Sequence, residues 1–184
     1  GMRSSMPWPT VTLADVVESM STGVSVNSEG RQCRPGEIGV LKTSAVTYGV
    51  FRPQEHKAVL PADVGRARLS PQGGAILVSR MNTVDLVGAS VFVPTDFPEL
   101  VLPDRIWQLL PRASDVDARW LHQYLSTPSS RAVISGIASG TSGSMKNISK
   151  ERFLGVSLPL PPLSEQRKIA AILSSVDDAI AKTE

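Results

Sequence analysis

The sequence predicts an α+β protein: a single β-rich domain with short flanking helices and one amphipathic helix at its C-terminus. Three observations predict this. Between about residues 36 and 110, short apolar runs are separated by Pro and Gly, and no helical period interrupts them. Before and after that block, apolar residues recur at helical spacing. From Ile169, the apolar positions Ile172, Leu173, Val176 and Ile180 follow at spacings of 3, 1, 3 and 4, with nothing to stop the helix before the chain ends.

In order, Pro7-Trp8-Pro9 precedes a helix with Thr12 as N-cap, Asp15 in its first turn, and Leu13, Val16, Val17 and Met20 on one face. Ser21 to Gly36 is polar and reads as loop. Strands are expected at 38–41, 46–51, 57–60, 75–79, 86–93 and 106–110, broken by Pro53, Pro61, Pro71, Gly73-Gly74, Pro94, Pro98 and Pro103. Their pairing is mixed or antiparallel, since no βαβ alternation is present. Asp117–Ser126 is helical, with Trp120, Leu121, Tyr124 and Leu125 on one side. Thr127-Pro128 restarts a helix with Pro at its first position. Ser139 to Ser144 is the most flexible-looking stretch and reads as linker. Ser149 caps a short helix to Leu154, Val156–Leu158 is a strand, and Pro159–Pro162 is extended. Ser164 is the expected N-cap of the last helix, with Glu165 favourably placed in its first turn. An isolated helix this short is marginal in water, so its stripe needs a partner, either the domain body or a second helix.

Composition bounds the function. The 184 residues are 41% hydrophobic and 20% charged, enough for one packed domain. Apolar runs stop far short of the roughly 20 residues that span a bilayer, so no membrane segment is expected. The opening GMRSSMPWPT lacks the apolar core of a signal peptide, which predicts a cytoplasmic protein, and Gly1 before Met2 reads as a cleavage scar. A lone cysteine, Cys33, excludes an internal disulfide and any multi-cysteine metal site. Two histidines, His56 and His122, leave little for acid–base chemistry, and His122 falls beside core positions of a helix as a structural residue would. Asp177-Asp178 point in different directions on their helix and suit a solvated face. No nucleophile elbow, P-loop, zinc-protease motif or dinucleotide fingerprint occurs. No catalytic residue, metal or cofactor is expected.

Charge is unevenly distributed. Residues 31–80 carry eight Lys/Arg against three Asp/Glu, residues 81–130 three against six, and residues 131–168 six against two. Arginines outnumber lysines 13 to 6. Two basic blocks folded onto one face would meet a polyanion, although an ordinary solvated surface accommodates them as well. Ser79-Arg80-Met81-Asn82-Thr83 joins two expected strands. Arg is suited to guanine and Asn to adenine, while a plain polar hairpin loop has the same composition.

The string Ser157-Leu-Pro-Leu-Pro-Pro-Leu-Ser-Glu-Gln-Arg-Lys-Ile-Ala-Ala-Ile-Leu closely resembles the element that, in type I restriction–modification specificity subunits, closes a target recognition domain and opens a long conserved helix. Other stretches resemble that family in the same order: Trp8 with Val11–Val16; Gly74–Asn82, where Ala75 replaces the usual acidic residue; Leu86-Val87-Gly88; Asp117–Leu121; and Gly143–Ser149. The resemblance implies a target recognition domain over 1–163 and the start of a spacer helix over 164–184. It implies a non-catalytic subunit that reads one half of a split double-stranded DNA site and positions modification (adenine methyltransferase) and restriction subunits on it, without a cofactor.

The chain departs from that pattern in carrying one recognition domain, with no internal repeat, so it is either a natural half-length subunit or a truncated one. A half subunit can dimerise through Ile169, Ile172, Leu173, Val176 and Ile180, which would give a palindromic pair of half-sites. No base contact carries over by motif, so the DNA-binding candidates come from side-chain chemistry. Arg80 and Asn82 are candidates for base edges, and Lys42, Thr43, Ser44 and Tyr48 for bases or backbone. Arg105, Lys146, Asn147 and Lys150 are candidates for phosphates. The alternative is a scaffold or regulatory protein of the same fold that acts mainly through helix pairing.

Overall fold

The structure, a computed structural model, describes residues 8–182; Pro7 lies outside them. The strands and helices follow one another as β1 (Thr10–Thr12), α1 (Leu13–Val16), β2 (Val17–Thr22), β3 (Gly39–Leu41), β4 (His56–Ala58), β5 (Ile76–Ser79), β6 (Met81–Asn82), β7 (Ser90–Phe92), β8 (Leu100–Val101) and β9 (Ile106–Pro111). There follow α2 (Ala118–Leu125), α3 (Pro128–Ile137), β10 (Ser139–Ser142), β11 (Met145–Asn147), α4 (Lys150–Leu154), β12 (Ser157–Pro159) and α5 (Leu163–Ala181). The fold is α+β, as expected.

Alternation along two apolar runs builds the centre. β5 and β9 sit in the middle of an antiparallel sheet ordered β2-β9-β5-β7. Ile76, Val78, Trp107 and Leu109 point into one core; Leu77 and Ile106 point into another on the opposite face. That is why Ala75–Val78 is apolar without a break. The first face is covered by α1 to α4, through Leu13, Val16, Trp120, Leu121, Leu125, Ile134 and Phe153, with the Phe153 ring 5.3 Å from that of Trp107. The second face is covered by Leu41, Ala45, Val46, Phe51, Leu100 and Leu102. One polar side chain, Gln108, is buried among them. It accepts the Gln72 N–H (2.9 Å) and donates to the Ser70 carbonyl (3.3 Å), which offsets its desolvation.

The N-terminal helix is shorter than its spacing predicts. Asp15 accepts the N–H and hydroxyl of Thr12, which holds the Asp15 carboxyl below its ordinary range, but α1 ends after one turn. Val17 and Met20 belong instead to β2. Pairing with β9 slips between Val17 and Ser19, so an extra residue bulges there and Val17 and Met20 face the same core. A bulged strand thus reproduces a helical spacing.

Other differences have equally local causes. Residues 46–51 are not a strand. A 3-10 turn at Thr43–Ala45 and a positive φ of 80° at Gly49 reverse the chain, and the Arg52 N–H returns to the Ala45 carbonyl. The run 86–93 begins as a turn. Gly88, at φ 81°, lies where a Cβ would meet Ile134 at 2.2 Å, and the strand starts at Ser90. Ser139–Ser144 is not a linker, because β10 and β11 form a hairpin that extends β6. Leu100–Val101 is an unforeseen strand, pairing parallel with β3.

The cap at Ser149 and the Pro128 at the first position of α3 are as expected; Asp117 and Thr127 also cap their helices, each side chain accepting an N–H of the first turn as Ser149 does. Ser164 does not cap α5. The N-cap position is Pro162, two residues earlier, and its carbonyl accepts the Glu165 and Gln166 N–H groups. The preceding prolines already fix the entry, and Gln166 is fully buried beneath them.

Candidate nucleic-acid interface

One end of the central sheet gathers residues that are far apart in the sequence. β5 finishes at Ser79 opposite Ile106, where β9 begins, and β2 finishes at Thr22 opposite Trp107. Because β3 and β8 run parallel, Lys42 and Asp104 emerge on the same side. The β6–β11 pairing then sets Lys146 opposite Asn82 and Asn147 opposite Met81. Lys150 donates to the Met20 carbonyl of β2 at 3.3 Å.

Lys42, Thr43, Ser44 and Arg105 line a cleft of about 390 Å³ together with Ser25, Ser28, Lys57 and Asp104. Arg80 borders it: its Nε donates to the Asp104 carbonyl at 2.6 Å and its N–H to the Arg105 carbonyl at 3.1 Å. Nine of the ten candidate DNA-binding residues, all but Tyr48, therefore belong to this cluster of segments. Tyr48 has other company. The Arg52 guanidinium lies 4.5 Å over its ring, and Gly49–Phe51 line a second cleft with Phe92, Arg119, His122 and Asp177.

The candidates differ in what they have left to offer. Asn82 is engaged internally: its Oδ1 accepts the Thr83 N–H (2.8 Å) and its Nδ2 donates to Ser79 Oγ (3.2 Å). Lys42 is ion-paired with Glu55 at 3.0 Å, and Ser44 donates to the same carboxylate. Those contacts hold the Glu55 carboxyl below its ordinary range. Lys146 donates to the Gly140 carbonyl and so braces its own hairpin. Arg105 is exposed and has no ion pair among the described residues. Lys57, also exposed and without an ion pair there, is a cation the sequence reading missed. Its only signal was strand alternation, which puts it beside Val40 at the cleft wall.

Among the described residues, no group of three or more His, Cys, Asp or Glu is placed to hold a metal ion. The Nε2 of His122 meets the Ser90 carbonyl at 3.1 Å, a structural contact. Among the described residues no helix is long and apolar enough to cross a membrane.

The family described as the type I restriction modification DNA specificity domain matches residues 6–184. The chain belongs to that family. It is 27% identical over 172 residues to the type I restriction enzyme EcoEI specificity subunit of Escherichia coli, an alignment covering 93% of this chain and 28% of that protein. Its fold resembles the HsdS subunit from Thermoanaerobacter tengcongensis, with a TM-score of 0.64 at 21% identity over 99% of this chain and 40% of that one. It likewise resembles the type I restriction-modification S subunit from M. genitalium, with a TM-score of 0.66 at 14% identity over 99% and 42% of the two chains. The specificity domain described here thus spans less than half the length of each of these relatives.

In this specificity domain, α5 divides its surface between two faces. Gln166 and Ala170 are buried against the body, and Gln123 donates to the Ala170 carbonyl at 3.2 Å. Ile169 is half-buried at the edge of the core. Ile172, Leu173, Val176 and Ile180 are 64%, 42%, 50% and 54% exposed. Beyond Ile169, the apolar stripe is therefore not what attaches the helix to its own domain.

Proposed function

We propose that this specificity domain recognises one half of a split double-stranded DNA site, as the specificity component of a type I restriction–modification complex. It carries no chemistry itself and positions modification and restriction subunits on the site. On this reading 1–163 is the target recognition domain, 164–184 begins the spacer helix, and the protein works in the cytoplasm. The end of the central sheet carrying Arg80, Arg105, Lys57, Lys146, Asn147 and Lys150 faces the duplex. The observation that carries the reading is the convergence of Lys42, Lys57 and Arg105, from three separate segments, around one cleft that Arg80 borders, in a chain of this family.

Exposed Ile172, Leu173, Val176 and Ile180 favour a contribution from protein pairing, either with a modification subunit or with a second copy. If pairing were the whole function, the domain would be a scaffold. Selection of duplexes from random DNA, with the chain alone and with its modification subunit, separates the two. A selected half-site supports DNA recognition, whereas a complex with the modification subunit that enriches no sequence supports the scaffold.

A further inference from the structure

The cleft holds a carboxylate that a surface for phosphates has no use for. Asp104 is half-buried on its wall, between β8 and β9. Its main-chain carbonyl accepts Arg80 Nε, but its carboxylate has no hydrogen-bond or ion-pair partner among the described residues. This is so although Lys42, Lys57 and Arg105 line the same cleft. Lys42 is occupied by Glu55, and the adjacent Arg105 does not close on Asp104.

A negative charge beside a polyanion is repelled, so such a carboxylate lowers affinity for any phosphate placed next to it. Base edges differ from phosphates in offering donors. In the major groove the exocyclic amino groups of cytosine (N4) and adenine (N6) are the donors a carboxylate can accept from. The segment is also held in place, since the Arg80 side chain and N–H bond to the carbonyls of Asp104 and Arg105. Both side chains are thereby presented on a fixed main chain, as direct readout requires.

We infer that Asp104 is a specificity-determining residue, accepting a hydrogen bond from the exocyclic amino group of one cytosine or adenine in the target, with Arg105 beside it. The inference rests on the DNA-reading function proposed above. Asp104 exchanges affinity for all DNA for discrimination at one position.

The test begins with duplexes selected from random DNA by the full chain together with its modification subunit. Binding of wild type and Asp104→Ala is then compared on the selected duplex and on a scrambled one at fixed salt. The expected result is a loss of about 10-fold or more on the selected duplex, with scrambled DNA bound equally or more tightly. Reselection with Asp104→Ala should lose preference at one position, and exchanging C·G for A·T there identifies the base. Equal tightening on both duplexes would make the carboxylate a mere repulsive charge and overturn the inference. Equal weakening on both would make it structural and overturn it too, as would an unchanged selected motif. A wild-type complex that selects no sequence would instead remove the DNA-reading function itself.

Discussion

Gln166 on α5 accepts the main-chain N–H of Asp117 at 2.8 Å through its Oε1, joining the last helix to the N-cap of α2. Its Nε2 donates to the carbonyls of Asp115 (3.0 Å) and Pro161 (2.9 Å), so one fully buried amide ties three segments together. Replacing it by Leu leaves one donor and two acceptors unpaired in the interior. Gln166→Leu should cost on the order of 2–4 kcal/mol, read as a lowered urea midpoint at unchanged slope. A midpoint equal to that of wild type would show that the amide does not hold α5 in place.

The Gln166 network shows what the sequence could and could not reveal. Ser157–Leu173 is recognisable as a string because its prolines and its Glu165-Gln166 pair are unusual in combination, and the helix and the preceding strand follow from it. Ser164 misleads because a side chain suited to capping says nothing about a carbonyl already placed by prolines. Val17 and Met20 mislead for a deeper reason: a bulge changes strand parity, and periodicity alone cannot distinguish three residues of bulged strand from a helical turn. Ser139–Ser144 looks like a linker because the edge that orders it, β6, lies far away in sequence. The site has the same character. Side-chain chemistry singles out Arg80 and Lys146, but only the β6–β11 register brings their segments together; Lys57 carries no mark beyond strand alternation, and Asp104 none.

Arg80 and Lys146 should separate by the kind of loss they produce. Arg80 keeps its Nε on the Asp104 carbonyl, leaving the outer guanidinium edge for a guanine. Arg80→Ala should cost about 1–3 kcal/mol on the selected duplex and relax one position of the motif. Lys146→Ala should weaken binding to all duplexes alike and reduce the salt slope by about 0.9, the value for one phosphate no longer neutralised. Equal losses for Arg80→Ala on selected and scrambled DNA would show that Arg80 reads no base.

His122 predicts a dependence on mildly acidic pH. Burial holds its imidazole below the ordinary value of 6.5, against smaller opposing effects from the Ser90 carbonyl and Asp177 on α5. A proton therefore binds the unfolded chain more readily than the folded one. The stability this neutral histidine contributes is complete above pH 6.5 and is lost as pH falls from there through the folded value. The melting temperature should decline as the solution is taken from neutral pH to below the ordinary histidine value of 6.5, and His122→Gln, which keeps an N–H for Ser90, should flatten that decline. An identical pH profile in the variant would show that another group titrates.

The two faces of α5 make opposite predictions. Ala170 is 4% exposed and Ile172 64%, so a charge at the first position attacks the domain and at the second only what lies outside it. Ala170→Asp places an unpaired carboxylate against α2 and should lower the unfolding midpoint markedly. Ile172→Asp should leave that midpoint unchanged, since its side chain is already in water. If the stripe pairs two copies, wild type should sediment as a concentration-dependent dimer, and Ile172→Asp should sediment as a monomer throughout. Dimerisation surviving Ile172→Asp would place the contact elsewhere. A wild-type monomer at high concentration would leave the stripe to the modification subunit, and loss of that complex on Ile172→Asp would then be the measurement that assigns it.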